Sequence, residues 1–167
     1  MGTMIINLSD AGRAMCLVHF KPFDEVIMYH FRFKIDTGAD FSTMPKEYLY
    51  KLGYDKDWIL ENAKPETNRE TTTATGELVT NYIVQLPLLN IYGYEAINWP
   101  FAILPDDERP NGEVVCRDYR PLIGLDLLAG FNFYLDNASN RFELTRISPF
   151  NPRRKFLPGQ EIHDLNN

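Results

Sequence analysis

The chain has 167 residues, of which 44% are hydrophobic, so it can fold around a core of its own and is not a disordered segment. Its net charge of −6 argues against a nucleic-acid partner, and no stretch approaches the roughly 20 apolar residues that span a bilayer. Two isolated cysteines and no visible export signal favour a reduced, cytoplasmic protein without a disulfide framework.

Strand patterns dominate the first part of the chain. β-Branched and aromatic side chains predict strands over residues 15–20 and 26–35. In the second run Phe33 and Ile35 alternate with basic side chains, which predicts one buried and one exposed face. This run leads directly into Asp36, so any function of that carboxylate depends on the strand before it.

Two short helices are predicted next. Pro45 suits the first helical position and Gly53 suits the residue after the end, so the two bracket one helix. A second helix is predicted near residues 58–63, with Asp55 or Asp57 as its cap. Neither helix is long enough to define the fold, and we therefore expect an all-β protein with one or two short helices.

The second half of the chain returns to strand and turn patterns. A hairpin is predicted over residues 71–89 with its tip near 74–77, and residues 105–120 are turn-rich and charged, as in a surface excursion. The remaining predicted elements are a strand at 99–104, a strand and short helix at 121–130, and a hairpin of 131–135 with 141–147. We expect one domain over residues 1–150 and an extended, proline-containing tail over 151–167.

The sequence Asp36-Thr37-Gly38 places a carboxylate and a glycine directly after an apolar strand. Two carboxyl groups about 3 Å apart cannot both ionise, so they share one proton. Such a pair can activate water as a base and protonate an amide as an acid. The tripeptide alone also fits an ordinary turn after a strand, so the flanking sequence has to decide between the two interpretations.

The flanking sequence favours the catalytic interpretation. Residues 33–44, Phe-Lys-Ile-Asp-Thr-Gly-Ala-Asp-Phe-Ser-Thr-Met, resemble the active-site segment of the retropepsins, the retroviral-type aspartic peptidases. Residues 122–128, Leu-Ile-Gly-Leu-Asp-Leu-Leu, resemble the second signature of that family, and the hairpin at 71–89 lies where the family has its substrate-covering flap. The resemblance covers residues 26–144 and is closest in style to cellular domains of the DNA-damage-inducible type.

The resemblance implies a closed-barrel acid-protease fold and an aspartic endopeptidase activity. It assigns the catalytic loop to Asp36, Thr37 and Gly38, and the close-packed glycine of the second motif to Gly124. It also implies a set of substrate-binding residues in the cleft floor, the flap tip and the pocket walls: Ala39, Asp40, Ala74, Thr75, Gly76, Leu122 and Ile123.

One catalytic loop supplies only one of the two carboxylates. The chain is too short for a second lobe, so the resemblance implies a symmetric homodimer in which each copy contributes Asp36. Residues 131–135 and 141–147 are the candidates for strands that hold the two copies together. The expected partners are a peptide or protein substrate and a second copy of the chain, with no nucleic acid and no membrane.

No cofactor or metal is expected. The histidines are widely spaced in the sequence, and they are assigned to the surface or the core: His19, His30 and His163. The chain has no glycine-rich phosphate loop and no serine in the context of a nucleophile elbow.

Two departures from the family pattern leave alternatives open. Leu125 stands where retroviral enzymes have an arginine that supports the loop, and Arg120 is the candidate to replace it. The flap also has fewer glycines than viral flaps. A dimeric peptide-binding or scaffolding domain with little or no proteolysis is therefore the alternative function, and a processing enzyme released from a viral or transposon polyprotein is a third.

Overall fold

The computed structural model describes residues 2–22, 26–72, 75–147 and 161–165. The strands are β1 (Thr3–Asn7), β2 (Met15–Lys21), β3 (Tyr29–Ile35), β4 (Lys64–Thr72), β5 (Leu78–Ile91), β6 (Tyr94–Ile103), β7 (Asp107–Glu108), β8 (Val114–Val115), β9 (Leu122–Ile123), β10 (Phe131–Asp136), β11 (Arg141–Arg146) and β12 (Glu161–Asp164). The helices are α1 (Lys46–Lys51), α2 (Lys56–Asn62) and α3 (Leu125–Leu128). No helix in these ranges is long and apolar enough to cross a membrane.

The larger sheet has the order β12-β6-β5-β2-β3-β9, with β4 paired to β5. Its pairs are antiparallel except for β3 and β9, which run parallel with Lys34 beside Leu122 and Ile35 beside Ile123. A smaller antiparallel sheet has the order β1-β11-β10, and β7 pairs with β8 in a short ribbon. The parallel β3–β9 pair brings together the two sequence motifs that lie far apart in the chain.

The core lies behind β3 and holds this strand in place. Phe20 and Phe33 are buried, with ring centroids 5.8 Å apart, and Phe101 lies 5.7 Å from Phe20. Each buried aromatic side chain contributes about 2–3 kcal/mol through the apolar surface that it removes from water. Leu49 of α1 is also completely buried in this core. The strand that leads to Asp36 is therefore fixed by packing along its inner face.

The all-β fold with short helices is confirmed, with several changes in detail. The strand predicted for residues 26–35 begins at Tyr29. Pro45 is the N-cap of α1 and not its first helical residue. Asp55, and not Asp57, caps α2 by accepting a hydrogen bond from the amide of Trp58. Strand β1 was not predicted, because residues 3–7 are short and precede any turn signal.

The C-terminal strand β12 returns to the larger sheet. The domain limit and tail predicted at residues 150 and 151 lie outside the described residues, but Glu161–Asp164 pairs antiparallel with β6. Asp164 forms an ion pair with Arg146, whose guanidinium carbon lies 4.9 Å from the centre of the Tyr94 ring. The last described residues therefore belong to the edge of the sheet opposite β9.

Candidate active site

Asp36 immediately follows β3, and the backbone of both motifs fixes its position. The amide of Asp36 donates to the carbonyl of Ile123 over 2.9 Å, and the amide of Ala39 donates to the carbonyl of Asp36 over 3.2 Å. The amide of Gly38 donates to Oδ1 of Asp36 over 3.0 Å. The Asp36 side chain is 29% exposed, so its carboxylate is oriented by the loop and still accessible to a ligand.

An ion pair joins Lys34 to Asp36. The ammonium Nζ of Lys34 lies 3.2 Å from Oδ2 of Asp36, and the Lys34 side chain is 39% exposed. The sequence placed Lys34 on the outer face of β3 but did not identify this contact. The signal was present, because residues i and i+2 of an extended strand project to the same side.

Gly124 lies against the backbone that follows the Asp-Thr-Gly sequence. A Cβ at this position would lie 2.5 Å from the carbonyl carbon and oxygen of Phe41 and 2.8 Å from the carbonyl oxygen of Ala39. The amide of the next residue, Leu125, donates to the same Ala39 carbonyl over 2.8 Å. The two motifs approach so closely that only glycine fits at position 124.

A buried hydrogen-bond cluster joins the two motifs below the site. The Ser42 hydroxyl donates to Oδ1 of Asp126 over 2.7 Å, and the Ser42 amide donates to Oδ2 over 3.1 Å. The amide of Gly124 donates to the Ser42 hydroxyl over 3.1 Å, and the amide of Leu127 donates to Asp126 over 2.8 Å. Asp126 is only 8% exposed, so this carboxylate holds the motifs together and does not face the cleft.

Thr43 extends the link between the motifs. Its hydroxyl donates to the carbonyl of Arg120 over 2.6 Å, and its amide donates to the carbonyl of Leu122 over 3.0 Å. Arg120 therefore supports the loop through its backbone, while its side chain is exposed. Leu125, where retroviral enzymes have arginine, packs against the hydrophobic core. Apolar packing and backbone hydrogen bonds therefore support the loop here, where retroviral enzymes use an arginine side chain.

The predicted floor and wall residues differ in accessibility. Thr37 and Asp40 are exposed, and Ala39 is half-buried. Leu122 is half-buried, whereas Ile123 is completely buried in the core. Because neighbouring strand residues point to opposite faces, Leu122 is the one of this pair that can contact a molecule in the cleft.

The predicted flap is a hairpin of β4 and β5. It begins at Lys64, earlier than predicted, and Thr72 pairs with Leu78 next to the tip. Thr75 and Gly76 are exposed at the tip, and Gly76 has a φ of 84°, which favours glycine. Ala74, the third predicted tip residue, lies outside the described residues.

The excursion at residues 105–120 contacts the flap. Arg117 donates to Glu77 over 2.7 Å and also lies 3.4 Å from Asp107. The hydrogen bond to Glu77 raises the pKa of Arg117 above its usual value. The hydroxyl of Tyr119 donates to the side chain of Asn81 in β5. The excursion therefore supports one side of the flap near its tip, a contact that the sequence did not indicate.

The base of the excursion is attached to the start of α1. Asp118 accepts from the Lys46 amide over 3.0 Å, and the Lys46 ammonium forms an ion pair with Asp106. The hydrogen bond from the Lys46 ammonium lowers the pKa of Asp106, while burial raises the pKa of Asp118. The same segment thus connects helix α1, which follows the Asp-Thr-Gly loop, to the predicted flap.

The histidines are closer together than their spacing suggested. His19 and His30 are directly opposite each other on β2 and β3, with ring centroids 6.0 Å apart. Within the described ranges, no cluster of three or more side chains that could hold a metal ion is formed. The two histidines are close because β2 and β3 pair antiparallel, although they are eleven residues apart in the sequence.

Comparison with known proteins agrees with this geometry. A family model described as "Aspartyl protease" matches residues 29–126, which include the first motif, the predicted flap and the second motif as far as Asp126. The fold is similar to the crystal structure of a retropepsin-like aspartic protease from Rickettsia conorii, with a TM-score of 0.57 and 25% sequence identity over 86% of this chain and 89% of that chain. No curated protein sequence matches the chain.

Proposed function

Because the chain belongs to the aspartyl protease family and has a retropepsin-like fold, we propose that it is an aspartic endopeptidase that acts as a homodimer. The observation that carries this proposal is the carboxylate of Asp36, which is partly exposed after β3 and oriented by the amide of Gly38. A carboxylate held in this way can activate water for attack on a peptide carbonyl.

The second carboxylate comes from Asp36 of another copy. Asp126 is unsuitable because it is buried and accepts hydrogen bonds from Ser42 and Leu127. A two-fold axis beside the catalytic loop brings two identical aspartates together without any further motif. The pair shares one proton, so one carboxylate acts as base toward water while the other donates a proton to the substrate.

The other loop residues have roles that follow from their exposure. The exposed hydroxyl of Thr37 contacts the partner's loop, and the backbone around Ala39 and Asp40 forms the floor. Leu122 lines a side-chain pocket, and Ile123 supports it from the core. The flap tip, with Thr75 and Gly76, covers an extended substrate that pairs with the flap backbone as an added strand.

Strand β10 is the proposed contact between the two copies. In the smaller sheet β11 is paired on both sides, so of the two predicted dimerisation strands only β10 has an edge that no other described strand pairs with. Three of its side chains are exposed although they are large and apolar: Phe133, Tyr134 and Leu135. A second copy that pairs along this edge covers that surface and continues the sheet.

A mixing experiment tests the dimeric mechanism. Asp36→Asn is expected to abolish cleavage of a peptide library while the sedimentation coefficient stays that of a dimer. When wild-type and Asp36→Asn subunits are dissociated and reassociated in equal amounts, random pairing leaves about a quarter of the dimers with two aspartates. Activity should fall to that level, whereas an enzyme that works as a monomer keeps about half.

The alternative function is a dimeric peptide-binding domain without turnover. The Lys34–Asp36 ion pair favours it, because the ammonium at 3.2 Å occupies Oδ2 of the carboxylate that would have to act on water. In that case wild-type protein and Asp36→Asn bind the same peptides with the same affinity and neither cleaves them.

Both cysteines are free, which is compatible with a reducing compartment such as the cytoplasm.

A further inference from the structure

Lys34 occupies the centre of a short row of side chains at the end of β3. Its neighbour on β2 is Met15 and its neighbour on β9 is Leu122. Side chains that pair across adjacent strands project from the same face of the sheet. Lys34 and Leu122 are partly exposed and Met15 is 36% exposed. The ammonium of Lys34 is therefore on an open face between two apolar side chains.

This face is the one that carries the reacting carboxylate. The ammonium lies 3.2 Å from Asp36, so a peptide bond cleaved at Asp36 passes within a side chain's length of Lys34. The inner face of the strand is not accessible, because Phe33 and Ile35 are buried on either side of Lys34. A substrate side chain next to the cleaved bond that reaches this row thus meets one cationic group with an apolar neighbour on each side.

The charges in the proposed dimer leave a positive charge for the substrate. This step rests on the proposed function, in which two copies each contribute Lys34 and Asp36. Two ammonium groups then face a pair of carboxylates that share one proton and have a single negative charge between them. One positive charge remains unneutralised beside the bond to be cleaved.

We propose that Lys34 is a specificity-determining residue that selects substrates with an acidic side chain directly next to the cleaved bond. The carboxylate of a substrate glutamate forms an ion pair with Lys34, and its methylene groups pack on Met15 and Leu122. A substrate lysine at the same position is repelled by the ammonium. Glutamine fits the same space without the charge, which makes it the reference for measuring the electrostatic contribution.

Peptides that differ at a single residue test the proposal. A cleaved sequence from the library is synthesised with Glu, Gln or Lys on either side of the cleaved bond, and kcat/KM is measured. Wild-type protein should prefer Glu over Gln by about five-fold at one of these positions, the range of a partly exposed ion pair. Lys34→Met should remove the preference and Lys34→Glu should transfer it to the lysine peptide.

Arg32→Met is the matched control. Arg32 is on the outer face of the same strand, two residues farther from Asp36, and its side chain is exposed. This variant removes one positive charge from the chain, so it should reproduce any effect that depends only on net charge. We expect it to keep the glutamate preference. Loss of the preference in Arg32→Met to the same extent as in Lys34→Met would overturn the proposal.

Binding to an inactive background separates this inference from the proposed function. The affinities of the same three peptides are measured by fluorescence anisotropy for Asp36→Asn and for Asp36→Asn with Lys34→Met. Tighter binding of the glutamate peptide that is lost in the double variant supports the inference even where turnover is slow. Cleavage or binding with equal preference for Glu and Gln refutes it and leaves the peptidase proposal standing. If no library peptide is cleaved or bound, both are refuted.

Discussion

The buried hydroxyl of Ser42 donates a hydrogen bond to the carboxylate of Asp126 over 2.7 Å, and these two residues belong to different sequence motifs. Ser42 follows the Asp-Thr-Gly loop, and Asp126 is the second residue of helix α3. The groups that contact Asp126 from Ser42 and Leu127 are all hydrogen-bond donors. The carboxylate therefore acts as a buried acceptor that fixes the loop of Asp36 against the second motif.

Replacing either member of this pair should reduce stability. Ser42→Ala removes the donor to Asp126 and the acceptor of the Gly124 amide, so we expect a loss of about 2 kcal/mol in the free energy of unfolding. Asp126→Asn keeps the shape but places an amide NH2 against donor groups, and it should destabilise by a similar amount. Urea unfolding of both variants measures this. Ser139→Ala, a change in an exposed turn, is the control, and an equal effect there contradicts the prediction.

Gly124→Ala should be more severe than Ser42→Ala. An added methyl group would lie 2.5 Å from the backbone of Phe41 and 2.8 Å from that of Ala39, and this backbone cannot move without displacing the loop that holds Asp36. We expect a loss of about 3 kcal/mol, or failure to fold. Gly2→Ala is the control, because nothing lies within 4 Å of its added Cβ. A Gly124→Ala protein as stable as wild type in thermal unfolding would contradict this packing.

Gly38→Ala should affect activity more than stability. Its added Cβ would lie 3.3 Å from Oδ1 of Asp36, a tight contact with a side chain and not with backbone. The carboxylate can move away by a few tenths of an ångström, but its alignment for catalysis is then lost. We expect kcat to fall about 10- to 100-fold while the melting temperature changes little. Equal losses of activity and folded protein would argue against this separation.

The ion pair of Lys46 and Asp106 predicts a pH-dependent contribution to stability. The hydrogen bond that Asp106 accepts from the Lys46 ammonium lowers the pKa of Asp106 in the folded protein. The stabilisation is therefore complete above the usual pKa of an aspartate, and it is lost as the pH falls through the lowered pKa of the folded protein. Asp106 is 32% exposed, so Asp106→Asn should cost less than about 1 kcal/mol at pH 7. The difference between variant and wild type in urea unfolding should shrink as the pH falls below the ordinary pKa of an aspartate. A stability difference that stays constant as the pH falls would contradict the prediction.

Local patterns were sufficient to predict an all-β class, because the alternation of Phe33 and Ile35 with polar residues defines the strand before Asp36. The retropepsin-like fold, the second motif and the close-packed position of Gly124 came from the resemblance of residues 33–44 and 122–128 to that family. The contacts that the sequence could not reveal join distant segments: Arg117 with Glu77, and Tyr119 with Asn81, between the excursion and the flap. Such pairs depend on register and loop path, which no short pattern encodes.

The contact between Arg117 and Glu77 should slow opening of the flap. Breaking the pair by Arg117→Met or Glu77→Gln leaves the hairpin of β4 and β5 with less support near its tip. Amide hydrogen exchange in residues 75–80 should become several-fold faster in either variant, and the double variant should exchange no faster than the singles. Arg109→Met, which breaks an ion pair with Glu113 in the same excursion, is the control. If amide exchange in the flap were equally fast in that control, the slowing would depend on the whole excursion and not on the Arg117–Glu77 contact, which would contradict the prediction.

The two cysteines should differ strongly in reactivity. Cys16 is only 2% exposed, so a reagent cannot reach its thiol in the folded protein. Burial also raises the pKa of Cys16 to about 12, so almost no thiolate forms at neutral pH. Cys116 is exposed on the excursion. Native protein at pH 8 should therefore react rapidly with one equivalent of iodoacetamide and take up the second only after unfolding. In Cys116→Ser the native protein should resist alkylation, and rapid labelling of Cys16 in that variant would show that the β2 side of the core opens readily.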